Sequence, residues 1–420
     1  MNTTEFACRS CGKTGAAAVL SLGAAPLAGS LLTKAQVAEA AASPASEPKF
    51  PLELVFCEGC SLVQIMETVP PETMFRDHGY MSSSSEDVVA QAEALVTRLT
   101  EERKLGKSSL VVEIASNDGY LLQHYAKQGV PVVGIEPARG PAKAATDRGV
   151  RTVTEFFGKD LAASMAKDGQ RADVIHANNV LAQVPDLDGV VSGIALTLKD
   201  DGVAVIETPY VKDLVDNRGV DAIDHEHYCH FSLTALVALM ERHELVVTEV
   251  ERLAVHNGSL RLFVSKKKGP KKAPKPNAAV KKLLAEEAAG GVATVAPFTG
   301  LAKAALALKA ELIEKIAELR DQGARIAGYG AAAKGSTLLH FLGVGKSVVD
   351  FVVDRDPAKQ GRFMPGSHIP VVAPDELRSR QPDVCMLLTW SSRDEIVEHQ
   401  RVFRENGGKF LVPLPAVIVL

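Results

Sequence analysis

The sequence predicts an α/β protein with a small metal-binding amino-terminal module followed by two Rossmann-like domains. Two CxxC pairs lie within the first 60 residues. The stretch "SLVVEIASNDGYLLQHYAKQGVPVVGIEPA" runs through a buried strand, a polar turn, a helix and a second strand. The stretches "ARIAGYGAAAKGSTLLHFLGV" and "SVVDFVVDRDPAKQG" repeat that order. We therefore expect domains at residues 1–80, 81–266 and 267–420.

The composition is typical of a globular chain with several cores. The 420 residues are 46% hydrophobic and carry a net charge of −4, so no global field recruits nucleic acid. Apolar runs such as "LVVEIA" are too short to span a membrane, and "MNTTEFACRSCG" lacks the regions of a signal peptide. We expect a cytoplasmic monomer or small homo-oligomer with a small-molecule substrate. The basic stretch "KKKGPKKAPKPNAAVKK" is interpreted as a linker or solvated edge, with a phosphate-binding edge as the alternative.

The four cysteines of "CRSC" and "CEGC" predict a zinc site. Each pair, Cys8/Cys11 and Cys57/Cys60, has two intervening residues, and such turns let two thiolates meet one Zn²⁺. A reducing cytosol disfavours disulfides, and a redox pair is the weaker alternative. A closed shell of four thiolates leaves no position for water, so the metal should be structural.

The turn of the first Rossmann-like unit favours an adenosine-bearing ligand. Asn117, Asp118 and Gly119 follow the strand, and Glu136 ends the next strand, where a carboxylate can accept hydrogen bonds from ribose. A nicotinamide dinucleotide normally requires GxGxxG, which "EIASNDGYL" lacks. S-adenosylmethionine (SAM) has no pyrophosphate and carries a cationic sulfonium, so acidic and amide side chains suit it better.

Asn178 and Asn179 end a later strand, "ADVIHAN", at the same expected edge of the sheet. Ligands in open α/β sheets lie beyond the carboxyl ends of the strands. A strand-ending turn is the simpler explanation for either asparagine alone. Together with the earlier loop, the two residues predict one crevice.

The segment "DAIDHEHYCHFS" places three histidines and a glutamate in a loop. The following helix, "FSLTALVALMERHEL", is expected to be capped by Ser232. A metal site, a catalytic base and an ordinary polar loop all remain open, although no HExxH spacing exists.

The glycine-rich turn near the carboxyl end has two interpretations. Gly328, Gly330 and Gly335, together with Lys334, can cradle a phosphate at a helix amino terminus, or they can serve close packing between strand and helix. Asp354, which ends the next strand, is either a ribose ligand or a capping or turn residue.

These motifs together resemble a known family. The ordered set "CRSCG", "CEGC", "EIASNDGYLLQ", "GIEPA", "HANNVLAQVPD", "ETPY", "DHEHYCHFS", "HNGSLRLFV", "GYGAAAKGSTLLH" and "VVDRDPAKQGRFMPGSHIPV" is similar to the zinc-containing, SAM-dependent sugar C-methyltransferases of antibiotic deoxysugar pathways. Those enzymes methylate TDP-linked ketosugars. The resemblance spans nearly the whole chain and implies a class I SAM methyltransferase domain in the centre.

The resemblance also implies roles for individual residues. Glu226 and His227 match the family's active-site pair, with His227 as the base, and Tyr80 matches an active-site tyrosine. The matching SAM-site positions are Glu113, Ser116, Asn117, Asp118, Gly119, Glu136, Asn178 and Asn179. The carboxy-terminal turn is expected to hold the nucleotide of the substrate or to close over it, through Tyr329, Lys334 and Asp354.

Two positions depart from the family pattern. Asp224 stands where a tyrosine is common, and Gln183 stands where a histidine is common. An aspartate is a poor partner for an enolate oxygen, but it can bind a substrate amine or hydroxyl. These departures keep open a methyltransferase with a different acceptor, and a binding protein without turnover is a further alternative.

Carbon methylation of this kind requires a base and a group that stabilises an enolate oxygen. Neutral histidine suits the first task, and we expect Glu226 to orient His227. Tyr80, His225, Tyr228 or a water are the candidates for the second task.

Overall fold

The computed structural model describes residues 3–77, 79–255, 258–268 and 274–420. Its first elements build the amino-terminal module and the helix that leads out of it. They are β1 (Ala17–Ala25), α1 (Lys34–Ala42), β2 (Phe50–Phe56), β3 (Val63–Ile65), α2 (Pro71–Phe75) and α3 (Glu86–Arg103). A capping box starts α1, because Thr33 and Gln36 each satisfy the other's backbone N–H. Ser85 caps α3 in the same way as other serine N-caps, by accepting from Val88 N.

The central part of the chain contains seven strands of one sheet. Its strands are β4 (Val111–Ile114), β5 (Val132–Ile135), β6 (Thr152–Val153), β7 (Ala172–Asn178), β8 (Leu198–Pro209), β10 (Leu245–Leu253) and β11 (Ser259–Lys266). The intervening strand β9 (Cys229–His230) belongs to the sheet of the amino-terminal module. The helices between them are α4 (Leu122–Lys127), α5 (Arg139–Asp147), α6 (Lys159–Lys167), α7 (Leu187–Thr197), α8 (Val211–Asp216) and α9 (Leu233–Arg242). Ser232 caps α9 as expected, by accepting from Ala235 N at 3.0 Å.

The central sheet has the order β6-β5-β4-β7-β8-β11-β10. Its strands run parallel except for β11, which is antiparallel to both of its neighbours. From β4 the chain first adds β5 and β6 on one side, and then crosses over to add β7 and β8 on the other side. The strand order therefore reverses between β4 and β7. In an open α/β sheet, the crevice at such a switch point binds the ligand.

The carboxy-terminal part repeats this architecture. Two helices, α10 (Ala278–Ala289) and α11 (Ala296–Asp321), lead into it. The remaining elements are β12 (Ile326–Tyr329), α12 (Ala333–Leu342), β13 (Val349–Val353), β14 (Val371–Val372), α13 (Glu376–Arg380), β15 (Val384–Leu387), α14 (Arg393–His399), α15 (Arg401–Glu405), β16 (Lys409–Val412) and β17 (Ile418–Val419). The sheet order β14-β13-β12-β15-β16-β17 is the Rossmann order, with only β17 antiparallel.

The three parts are tied together by elements that cross the predicted domain boundaries. The sheet of the amino-terminal module has the order β1-β2-β3-β9, so its last strand comes from far beyond residue 80. Glu287 of α10 accepts from the backbone N–H groups of Leu233 and Thr234, at the start of α9. Leu32 forms an isolated antiparallel bridge with Phe363 of the carboxy-terminal part.

None of the helices in the described ranges is long and apolar enough to cross a bilayer. The basic stretch interpreted as a linker or solvated edge lies partly outside the described residues, and α10 begins within it.

Candidate active site and zinc site

The four cysteines converge at one point of the amino-terminal module. Their Sγ atoms all lie within 4.8 Å of one another, with 3.6 Å between Cys8 and Cys60 and 3.5 Å between Cys11 and Cys57. Four sulfurs around a zinc ion, at about 2.3 Å each, would be separated by roughly 3.8 Å. Gln64 Nε2 also donates to Cys8 Sγ at 3.0 Å. The donor set therefore fits a tetrahedral, structural Zn²⁺ site.

A cleft of about 920 Å³ lies where the three parts of the chain meet. It opens at the carboxyl ends of β4, β5, β7 and β8, and its far wall is the start of α12 together with Trp390. This volume is in the range of cofactor and small-molecule sites. The cleft brings together ten of the predicted site residues, which are Tyr80, Asn117, Glu136, Asn178, Asn179, Gln183, Asp224, Glu226, His227 and Lys334.

Polar atoms without partners mark the cofactor end of the cleft. Asn178 Oδ1 and Asn179 Oδ1 are buried and have no hydrogen-bond partner within the described chain. Buried polar atoms are normally satisfied, so two orphaned acceptors on a cleft wall point to a ligand with donors. The amino group, ribose hydroxyls and adenine amine of SAM are such donors. The residues present therefore fit the cofactor.

Glu136 shapes the turn at this end. Its Oε2 accepts from Asn117 N at 2.8 Å and its Oε1 accepts from Ala138 N at 2.7 Å. Asn117 adopts a positive φ of 50° and accepts from Ser82 N, so the turn is tied to the segment that carries Tyr80. Burial raises the pKa of Glu136, and the two backbone donors oppose that rise.

The remaining predicted cofactor residues lie behind the cleft wall, among the described residues that do not line it. Glu113, Ser116 and Asp118 are each at most 1% exposed. Burial, followed by repulsion from Glu136, holds the pKa of Glu113 well above its usual value. Arg148 Nη1 lies 2.8 Å from Asp118 Oδ2, and Gly119 has a φ of 76°. These residues support the turn from the protein interior and do not line the cleft.

The loop of the three histidines holds an aspartate and a histidine in contact. His227 Nδ1 lies 2.9 Å from Asp224 Oδ1. Burial acts to raise the pKa of Asp224, but the contact with His227 outweighs it and the pKa lies below its usual value. The same contact raises the pKa of His227 against the opposing effect of burial. We expected Glu226 to orient His227. The carboxylate that contacts His227 in the structure is that of Asp224 instead.

Glu226 has a different environment. Its carboxylate accepts from the backbone N–H of Gly29, and a side chain at Gly29 would collide with it. Burial, followed by the nearby charge of Asp224, raises the pKa of Glu226 to about 7. Near neutral pH this group is therefore protonated in a large fraction of molecules.

Two candidates for contact with an enolate oxygen are turned away from the cleft. His225 Nε2 lies 3.2 Å from Phe50 O and 3.1 Å from Pro51 O, outside the set of residues that line the cleft. Tyr228 is fully buried and donates its hydroxyl to Val69 O. Both residues brace the amino-terminal module against the loop. Tyr80 and Gln183 do line the cleft.

The glycine-rich turn shows the close packing between strand and helix that was one of the two interpretations of the sequence. Gly330 has a φ of 102°, and a Cβ on Gly335 would lie 2.8 Å from Gly330 O, so close packing demands glycine at both positions. Lys334, in the first turn of α12, lines the cleft. Asp354 accepts from Ala331 N at 2.8 Å and so acts as a turn residue.

Tyr329 lies apart from the cleft. It is 4% exposed and packs in the hydrophobic core of the carboxy-terminal sheet. Tyr329 and Asp354 are both absent from the described residues that line the cleft.

Comparison with known proteins decides the family. The chain is 34% identical to the C-methyltransferase NovU of Streptomyces niveus, over 97% of this chain and 95% of that protein. Family models match in the same order as the three parts of the fold: a zinc binding domain over residues 8–75, a methyltransferase domain over 86–250, and a C-methyltransferase C-terminal domain over 254–415.

The chain belongs to the zinc-containing, SAM-dependent C-methyltransferase family. This confirms the resemblance noted in the sequence, the class I methyltransferase fold of the centre, and SAM and structural zinc as the cofactors of this C-methyltransferase.

Solved methyltransferase structures overlap with only part of the chain. Magnesium protoporphyrin IX methyltransferase from Synechocystis PCC 6803, with bound SAM, matches 42% of this chain and 79% of its own, at 13% identity and a TM-score of 0.33. The 1,6-didemethyltoxoflavin-N1-methyltransferase from Burkholderia thailandensis matches 44% of this chain and 80% of its own, at 17% identity and a TM-score of 0.33.

Among the cleft residues of the C-methyltransferase that were not singled out from the sequence are Asp221, His230 and Trp390. Trp390 Nε1 donates to Asp221 Oδ2 at 2.8 Å, and this bond joins the carboxy-terminal part to the loop of the three histidines. Burial, followed by repulsion from His227, lowers the pKa of His230 to about 3, so His230 is neutral. The available signals were that Asp221 and His230 flank "DHEHYC" and that Trp390 is the single tryptophan of the chain.

Proposed function

We propose that this C-methyltransferase transfers the methyl group of SAM to a carbon next to a ketone on a TDP-linked deoxy-ketosugar, in natural-product biosynthesis. The observation that carries the proposal is that one cleft is lined by the predicted SAM-site residues Asn117, Glu136, Asn178 and Asn179, by the Asp224–His227 pair and by Lys334. A sugar nucleotide has to extend from a reacting carbon to a phosphorylated nucleoside. The cleft is lined by a candidate base, His227, and by a cation, Lys334.

Proton removal is the task of His227 in this proposal. A carbon next to a carbonyl becomes a nucleophile only after it loses its proton, and a positioned histidine is suited to accept it. His227 lines the cleft and is 25% exposed at its side chain, so a substrate can reach it. SAM supplies the methyl group as a sulfonium when it is bound.

The enolate oxygen that develops needs a donor, and Glu226 is suited to this role. Its pKa of about 7 keeps a proton on the carboxyl group under conditions where an exposed glutamate has lost it. A protonated carboxyl can donate a hydrogen bond to an oxyanion, which an ionised carboxylate cannot do. Tyr80, which also lines the cleft, is the second candidate donor.

Lys334 supports a phosphorylated substrate. Its position in the first turn of α12 combines a side-chain cation with the positive end of a helix, and both attract a diphosphate. Asp221, which lines the same cleft, accepts a hydrogen bond from Trp390 Nε1.

The test is transfer of an isotopically labelled methyl group from SAM to a panel of TDP-4-keto-6-deoxysugars, with and without a 3-amino group, followed by mass spectrometry. We expect label on a sugar carbon for at least one member of the panel. SAM binding without label on any sugar would contradict the sugar substrate.

A second candidate function is the same reaction on a different acceptor. The observation that favours it is that Gln183 and Asp224, the two departures from the family pattern, both line the cleft. Label transfer to a non-sugar ketone, with none to the TDP-sugars, would establish this alternative.

A further inference from the structure

We propose that Asp224 is a positioning residue that holds His227 in the tautomer with its proton on Nδ1, so that Nε2 is the basic nitrogen. The proposal rests on the proposed function, because it concerns the base of that reaction. It gives a role to an aspartate that stands where the family commonly has a tyrosine.

The hydrogen bonds around Asp224 fix the direction of its contact with His227. Oδ1 accepts from Glu226 N at 2.9 Å and from His227 N at 3.1 Å, and backbone N–H groups can only donate. The third neighbour of the same oxygen is His227 Nδ1, at 2.9 Å. An oxygen that already accepts from two donors is an acceptor for the third as well. Nδ1 therefore carries a hydrogen, and the lone pair of the neutral ring is on Nε2.

The position of Asp224 makes this contact strong and rigid. The residue is 1% exposed, so water does not compete for the carboxylate. The two backbone bonds clamp the carboxylate to the turn that carries His227, at a spacing of three residues. A buried carboxylate that orients an imidazole in this way also stabilises the imidazolium formed when the base takes a proton.

The charged and titratable groups around His227 are Asp224, Glu226, Lys334 and the neutral His230. Burial and Lys334 oppose the imidazolium, whereas Asp224 and the ionised form of Glu226 favour it. Glu226 cannot replace Asp224, because its carboxylate is engaged with Gly29 and carries a proton near neutral pH. A tyrosine at position 224 would present a phenol instead of an anion. The base of this chain is therefore arranged differently from the pattern common in the family.

The first test needs no substrate. Protein labelled with ¹⁵N-histidine gives two-bond ¹⁵N–¹H correlations that report the tautomer of each imidazole, and the variant His227→Gln assigns the signal. We expect His227 of the wild-type protein to be protonated on Nδ1. A neutral ring protonated on Nε2 would overturn the proposal. This measurement decides the question even if variants at position 224 fail to fold.

The second test uses Asp224→Asn, which keeps an acceptor oxygen for the two backbone N–H groups but removes the charge. We expect kcat to fall by about 100-fold or more, with SAM affinity and KM nearly unchanged. The pKa of His227 should fall by NMR, because burial and Lys334 then act with less opposition, and the acidic limb of the pH profile should move to lower pH. Asp216→Asn, at an exposed position on α8 paired with Lys212, is the matched control.

The outcomes separate this proposal from the proposed function. In one outcome the wild-type protein methylates no sugar, but NMR shows the Nδ1 tautomer of His227 and a lower His227 pKa in Asp224→Asn. The positioning role of Asp224 then stands and the proposed substrate is wrong. If the wild-type protein methylates a sugar and Asp224→Asn matches it in kcat and pH profile, the function stands and the dyad is refuted.

Discussion

Two carboxyl groups separated by one residue, Asp224 and Glu226, have their pKa values moved in opposite directions. The contact with His227 keeps Asp224 ionised, whereas burial raises the pKa of Glu226 to about 7. Pairs of titratable groups with divergent pKa values are the arrangement that enzymes use to run acid and base chemistry together. The adjacent negative charge of Asp224 is itself one of the causes that keep Glu226 protonated.

We predict a loss of activity at alkaline pH that depends on Glu226. Since the raised pKa means that the proton is present below pH 7 and lost above it, kcat should decline as pH rises through that value. Glu226→Gln should lower kcat by about 100-fold at neutral pH and abolish this alkaline decline, while SAM affinity by calorimetry stays unchanged.

Glu101→Gln, at an exposed position on α3, controls for the substitution itself and should retain the wild-type profile. A Glu226→Gln variant that retains both the rate and the decline would exclude Glu226 as the donor.

At the residue scale, the sequence predicted what spacing alone determines. Cys8, Cys11, Cys57 and Cys60 were assigned together because two CxxC pairs specify a four-thiolate site, and the structure brings their Sγ atoms together. The partner of His227 was not predictable, because it depends on how a loop folds back over three residues. Tyr329, which lies between two glycines of the turn, was predicted to contact the substrate. Its side chain packs instead in the hydrophobic core of the carboxy-terminal sheet.

The turn between β12 and α12 is the element that brings Lys334 to the cleft. Gly330 occupies the left-handed region at a φ of 102°, and a side chain there would collide with Thr389. Its backbone N–H donates to Val353 O, and Ala331 N donates to Asp354 Oδ2. The turn is therefore held by the neighbouring strand β13 on one side and by Thr389 on the other.

Gly330→Ala should destabilise the protein by about 2 kcal/mol more than Gly361→Ala. Gly361 has a φ of 79° but nothing within 4 Å of an added Cβ, so it shares the backbone strain and lacks the collision. Denaturant unfolding measures both variants. Equal losses would mean that the contact with Thr389 gives way freely.

Strand β9 connects the zinc site to the loop of the three histidines. It pairs with β3 through Gln64 and Cys229, and the side chain of Gln64 also donates to Cys8 Sγ. Ile65 N adds a hydrogen bond to Tyr228 O. Strand β3 therefore contacts the zinc ligand Cys8 through Gln64 and contacts Tyr228, the residue after His227, through Ile65.

Removal of zinc should therefore impair catalysis as well as stability. We expect one zinc per chain by metal analysis of protein purified without chelator. Chelation should lower the midpoint of thermal unfolding and reduce methyl transfer in parallel, and readdition of Zn²⁺ should restore both. Full activity in metal-free protein would refute the coupling through β9.

The pairing of β9 with β3 shows the limit of sequence reasoning at the element scale. The two Rossmann-like units were predicted from local alternation of strand, turn and helix, which is encoded over short stretches. A two-residue strand has no such pattern, and its partner lies about 165 positions earlier in the chain. The predicted boundary at residue 80 consequently assigns β3 and β9, which are neighbouring strands of one sheet, to different domains.

At the scale of the whole molecule, the cleft exists only because all three parts contribute to it. Residues of the amino-terminal module such as Phe75, of the central sheet such as Asn178, and of the carboxy-terminal part such as Lys334 line the same space. The bond between Trp390 and Asp221 is a direct polar link between the carboxy-terminal part and the loop of the three histidines. Asp221 is 1% exposed, and its Oδ1 has no partner among the described residues.

Trp390→Phe should weaken the hold on the substrate. The aromatic ring remains, but Asp221 loses its donor and becomes an unsatisfied buried acceptor, at a cost of about 1–3 kcal/mol. We expect KM for the sugar nucleotide to rise by about 5-fold or more, with SAM affinity unchanged. Asp221→Asn keeps an acceptor oxygen for the indole and should raise KM less. An unchanged KM in Trp390→Phe would exclude a role for this link in substrate binding.

The position of Trp390 has a practical consequence for optical measurements. It is the single tryptophan of the chain, it lies on the wall of the cleft, and its indole N–H is engaged by a carboxylate. Intrinsic fluorescence excited at the red edge of the absorption band therefore originates from this one site. The unmodified enzyme carries its own spectroscopic reporter, and titration with a nucleotide or with SAM can be followed in solution without an attached dye.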